Sequence, residues 1–195
     1  MSKIIACVLA LCAMTWTTSC ISIASINEDF RKVDALWTAE NAEYTAERFP
    51  HRLDAPIEDA YEALRATFAD LGLAVASQDR GEREAVLVTK NEAPHPLSQD
   101  QWEEVREIEN PRTKEISWVL SIPSDPSGYL VTTKVVLVAD GDQTLLSVDY
   151  YLEMPEYEDM GIIPSRQAPP SAVRMFSSML LERTEANLSS RTPEG

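Results

Sequence analysis

The segment YLVTTKVVLVADGDQTLLSVDYYLEM, residues Tyr129 to Met154, decides the fold. Strand side chains alternate between two faces, so parity sorts them. Before the Asp140-Gly141-Asp142 turn signal, the odd positions Tyr129, Val131, Val135 and Leu137 are large and apolar; after it, the even positions Leu146, Val148, Tyr150, Leu152 and Met154 are. A two-residue loop, either Asp140-Gly141 or Gly141-Asp142, pairs odd residues with even ones and places both sets on one buried face. A slip of one residue would bury Lys134 and expose Leu146, so the register is strongly specified. An antiparallel hairpin with one dry face needs helices to cover it.

Those helices lie on either side in the chain. Ile57, Tyr61, Leu64, Phe68 and Leu71 recur at helical spacing behind Pro56 and stop at Gly72. After Pro169-Pro170, a second stripe runs through Val173, Phe176, Met179 and Leu180. Further strands are expected at Phe49 to Leu53, Leu73 to Ser77, Ala85 to Lys90 and Ile116 to Ile122. In the last of these, Ile116, Trp118, Leu120 and Ile122 would share the buried face. The expected fold is therefore α+β: a two-layer domain with an antiparallel sheet of about six strands, one face covered by two helices. A helical arm precedes it, with Ile26, Phe30, Val33, Trp37 and Tyr44 as an apolar stripe thin enough that the arm is expected to dock only in part, and Asn27 as its cap.

The N-terminus reads as an address. Lys3, an uncharged run from Ile4 to Met14, the small residues Thr17, Thr18 and Ser19, and then Cys20 fit a cleaved targeting segment. The run is too short for the ~20 residues that a membrane-spanning helix needs. This gives residues 1–19 as signal, 20–48 as N-terminal helical arm, 49–188 as one domain with an insert at 91–114 and a loop at 155–169, and 189–195 as a disordered tail. Residues 1–19 hold one Lys and no acid, so the mature chain carries 16 basic against 32 acidic residues, a net charge of −16. Nucleic acid and anionic membrane surfaces are poor partners for such a chain. Of three cysteines only Cys20 survives cleavage, which excludes an internal disulfide.

The Thr17-Thr18-Ser19-Cys20 box resembles the signals of bacterial lipoproteins, although Thr17 stands where that family prefers Leu. The resemblance implies a diacylglyceryl anchor on Cys20 and a place in the cell envelope facing the periplasm. Ile21 favours the outer over the inner membrane. The competing reading is ordinary cleavage after Ala24. The order of elements, and the phrase APIEDAYEALRATFADLGLAV running into QDRGEREAVLVTK within Arg52 to Lys90, resembles helix-grip domains. These include domains of the lipoprotein of the outer-membrane β-barrel assembly machinery and, more distantly, START-like lipid-binding domains.

No reactive constellation stands out. His51 and His95 are the only histidines and lie in separate segments, and no serine-nucleophile motif occurs. Asp140-Gly141-Asp142 lacks the spaced oxygen ligands of a calcium loop. The reading assigns no catalytic residue, metal or cofactor, and expects a non-enzymatic scaffolding, assembly or interaction module. Cys20 is the lipidation site, and an unidentified envelope protein is the expected partner. Contacts to it are expected from the apolar cluster Met160, Ile162 and Ile163 and from Trp102 in the insert, where Ser98 and Gln101 have capping-box spacing. The alternative is a START-like binder of a lipid or other hydrophobic ligand. Val135, Leu146, Val148, Phe176 and Leu180 would then line a pocket between sheet and C-terminal helix.

Overall fold

The computed structural model describes residues 22–164 and 166–191. The signal, Cys20 and the end of the tail lie outside the described residues. In chain order the elements are α1 (Ile23–Arg48), β1 (His51–Leu53), α2 (Ile57–Asp70), β2 (Val75–Arg80), β3 (Glu84–Glu92), α3 (Gln99–Ile116), β4 (Leu130–Asp140), β5 (Gln143–Glu153), α4 (Pro155–Asp159) and α5 (Pro170–Ser189). The strands form one antiparallel sheet in the order β1-β5-β4-β3-β2.

The β4–β5 hairpin takes the register that parity demands. Asp140 pairs with Gln143 across Gly141-Asp142, Val135 with Val148 and Leu137 with Leu146. Gly141 sits at φ +66, the left-handed region such a turn requires. Lys134 and Asp149 stand opposite each other on the solvent face. β3 adds to β4 over nine residue pairs, from Glu84↔Val138 to Glu92↔Leu130. Against the dry face α2 sets Ala60, Leu64 and Phe68, and α5 sets Phe176, Leu180 and Leu181, all in one continuous core with Leu87, Val135, Leu137 and Leu146. α2 ends where Gly72 turns at φ +65 and Leu73 N–H donates back to Phe68 O at 2.7 Å.

Three expectations need correction. Ile116 to Ile122 is not a strand, so the sheet has five strands rather than about six. The capping box of Ser98 and Gln101 starts α3, and that helix continues through Pro111 to Ile116. Its side chains then satisfy the backbone a ladder would have used. Asn110 accepts from Ile122 N–H at 2.7 Å, Arg106 donates to Ile122 O at 3.1 Å, and Trp102 donates to Pro123 O at 2.9 Å. Of the supposed inward face Ile122 is buried, whereas Trp118 is 79% exposed. Second, Ser22 rather than Asn27 caps α1, accepting from Ser25 N–H. Third, α1 docks fully, with Phe30, Val33 and Trp37 buried.

Candidate functional site

The way α1 docks creates a feature with binding geometry. Asn27, Asp34 and Asn41 recur every seven residues, which keeps them on nearly one line of the helix. That line holds the extended loop after α4. Asn27 Oδ1 accepts from Ile163 N–H at 2.8 Å, Asp34 Oδ1 from Arg166 N–H at 3.1 Å and Gln167 N–H at 3.3 Å, and Asn41 donates to Ala168 O at 3.0 Å. The loop is held from its other side by β5, where Tyr151 bridges Gln167 and Leu152 N–H donates to Arg166 O at 2.9 Å.

α3 is tied to the same frame. Glu109, 1% exposed, accepts from Ser171 N–H at 2.9 Å, and Arg112 bridges Glu109 to Glu40 of α1. α5 begins with Pro169 as its cap and Pro170 in its first turn, and it has no side-chain cap of its own. The buried carboxylate from α3 therefore supplies the acceptor that the helix start lacks.

Between these supports lies an apolar cavity of about 320 Å³. Phe30, Val33 and Trp37 of α1 form one wall, Trp102 of α3 another, and Leu152 and Met154 at the end of β5 a third. The irregular segment Val119 to Pro123 closes a further side. Tyr157 of α4 packs edge-on against Phe30, with ring centroids 5.8 Å apart, and against Tyr129, 6.2 Å apart. Burial, and then the Tyr157 hydroxyl, push the Tyr129 phenol well above its ordinary range, so it stays neutral. Thr113 also lines the cavity; its Oγ1 is buried and has no hydrogen-bond partner among the described residues. An apolar hollow of this size with one unspent hydroxyl suits a hydrophobic molecule bearing a polar atom.

The residues expected to carry function are dispersed. Cys20 lies outside the described residues. Met160 and Ile163 are exposed, while Ile162 is buried and lines the cavity. Trp102 lines it too, its indole N–H committed to Pro123 O. Val135, Leu146 and Leu180 are fully buried in the continuous core. Phe176 borders a separate hollow of only about 30 Å³, and Val148 a groove between the second half of α1 and β5. The large apolar cavity is thus beneath α1 rather than between the sheet centre and α5. Phe30, Val33, Trp37, Thr113 and Tyr157 are site residues that sequence reading missed; the stripe of α1 was the signal for the first three, and no pattern pointed to Thr113 on α3 or Tyr157 on α4.

His51 pairs with Glu185 at 2.8 Å on the surface, and His95 sits against Gly72, where a Cβ would come within 3.1 Å of its ring. Neither reaches the cavity wall. Among the described residues no three His, Cys, Asp or Glu side chains gather as metal ligands, and no helix is long and apolar enough to cross a membrane.

These features define an α+β protein with a five-stranded antiparallel sheet and an apolar cavity under its N-terminal helix. Compared with known proteins, it matches no family model, and neither a curated protein nor a solved structure matches it.

Proposed function

We propose that the chain is a non-enzymatic module of the bacterial envelope, tethered through a lipidated Cys20, that holds a hydrophobic ligand in the cavity beneath α1. The observation that carries the binding is the cavity itself: about 320 Å³, walled by aromatic and aliphatic side chains. The tether rests on the Thr17 to Cys20 box and the uncharged run before it. The β-α-β-β and β-β-α order about the α3 insert supports a helix-grip-like body, with α1 adding the cavity wall that the two covering helices do not provide.

Two readouts test this. Cys20→Ala should move the protein from the membrane to the soluble fraction with its fold intact by circular dichroism; unchanged membrane association contradicts the tether. The released protein should take up one equivalent of the neutral fluorophore N-phenyl-1-naphthylamine. Ser121→Phe, which fills the cavity from an exposed position, should abolish that uptake. A protein that takes up no probe, and instead crosslinks to an envelope protein through the Met160 to Pro164 loop, is the scaffold that the sequence alone favours.

A further inference from the structure

Exposed apolar side chains border the cavity at the start of α1 and in the segment after α3. Ile23 lies on the first turn, 52% exposed. One turn on, Asn27 donates to Gly161 O and accepts from Ile163 N–H, which sets exposed Met160 and Ile163 beside it. Val119 lines the cavity with Ile26 and Phe30 and is itself partly exposed, and its neighbour Trp118 stands 79% exposed. Single exposed apolar residues are ordinary, whereas a set bordering an apolar cavity marks a contact surface.

Two further observations say what meets it. Thr113 is 3% exposed and lines the cavity, and its Oγ1 is unpaired among the described residues. A buried hydroxyl left so is costly, and an ester carbonyl or hydroxyl on an otherwise apolar ligand would satisfy it. The 21 residues ahead of the described chain join at Ser22, the cap of α1, at this same rim. They carry the uncharged run and Cys20. Two residues span at most ~7 Å, so a bilayer holding Cys20 lies against Ile23 and its neighbours. Charge narrows the lipid. Glu28, Asp29, Glu158 and Asp159 flank the rim, and Arg31 and Lys32 are spent on the first two. Such a surface repels anionic headgroups.

We infer that the cavity takes up an acyl chain from a bilayer lipid with a neutral or zwitterionic headgroup, admitted through the rim of Ile23, Trp118, Val119, Met160 and Ile163, with Thr113 Oγ1 offering a hydrogen bond to a polar atom of the lipid. This rests on the tether and cavity reading above and names its ligand and source.

The test uses the full-length protein in phosphatidylcholine vesicles doped with a phosphatidylcholine bearing a diazirine at its acyl terminus. Photolysis and peptide mass spectrometry then locate the adducts. Adducts are expected on Phe30, Val33 and Leu152. Trp118→Asp with Ile163→Asp, both at exposed positions, should lower their yield about tenfold with the fold unchanged. Thr113→Val should lower the yield about fivefold, as loss of one hydrogen bond implies, while raising the melting temperature of the empty protein. A merely structural threonine would not show that opposed pair of effects. Adducts confined to the rim, a rim variant labelled like the wild type, or capture of a protein in place of lipid would overturn the inference. Uptake of N-phenyl-1-naphthylamine without labelling by lipid would remove the bilayer as source and leave the cavity reading standing; failure of both probes would end both.

Discussion

Glu109 Oε1 lies 2.9 Å from Ser171 N, so a buried carboxylate on α3 caps the first turn of α5. The bond joins the cavity's floor to the helix that covers the sheet, and Arg112 extends it to Glu40 on α1. Glu109→Ala leaves an uncapped helix start and takes away one of the two carboxylates that Arg112 bridges, Glu40 remaining as its partner. The expected cost is about 1–3 kcal/mol, a fall in melting temperature of roughly 3–10 °C for a chain of this size. Glu109→Gln keeps an acceptor and should lose less. A thermal melt of the two variants checks the order; an Ala variant as stable as the wild type contradicts it.

The polar line on α1 makes a second prediction. Asn27→Ala removes the bonds to Gly161 O and Ile163 N–H, each worth about 0.5–1.5 kcal/mol. Amide hydrogen exchange should quicken across residues 161–168 and in the first turns of α1, and leave β4 and β5 protected. Uniform quickening would mean that α1 and the loop do not open as a unit.

The alternation in Ile116 to Ile122 misled because it describes two faces and not whether the backbone finds a ladder. Asn110, Arg106 and Trp102 lie 12 to 21 positions before their partners and take the Ile122 and Pro123 backbone groups instead. The β4–β5 register, by contrast, was legible from parity and one glycine, since any slip would bury Lys134. The candidate site was poorly legible. Val135, Leu146 and Leu180 look like pocket walls on one strand face and one helix stripe, yet α2 fills the space between them with Leu64 and Phe68. The walls of the actual cavity come from stretches scattered between Ile26 and Pro169, and Asn27, Asp34 and Asn41, which hold α1 in place, are invisible to a hydrophobic pattern.

Two substitutions measure that correction. Leu137→Ala, in the sheet core, should cost about 2–5 kcal/mol by opening a cavity among Leu87, Val135 and Leu146. Trp118→Ala should change stability by less than about 0.5 kcal/mol, because the side chain is largely in water. Chemical denaturation of both decides it; a Trp118 variant as damaged as the Leu137 variant would restore the strand.

Tyr150 sets an alkaline limit. Its phenol is buried against Phe176 and accepts from Ser177 Oγ at 3.2 Å. Burial drives its pKa upward from the ordinary value near 10, although the Ser177 bond works the other way. The unfolded chain therefore releases this proton first. The stabilisation is complete below about pH 10 and is lost as pH rises above it. Tyr150→Phe should flatten the fall in unfolding free energy above pH 10, at about 0.5–1.5 kcal/mol lower stability at neutral pH for the lost bond. Denaturation at pH 8 and pH 11 gives the comparison, and equal pH slopes in the two proteins would contradict it.

If the cavity under α1 is a ligand site, the purified protein should carry its ligand. Native mass spectrometry of the full-length protein, purified in mild detergent with no ligand added, should show one non-covalent hydrophobic molecule per chain, retained by the wild type and absent from Ser121→Phe. A wild-type protein that flies bare, or a Ser121→Phe protein that keeps the same added mass, would contradict it.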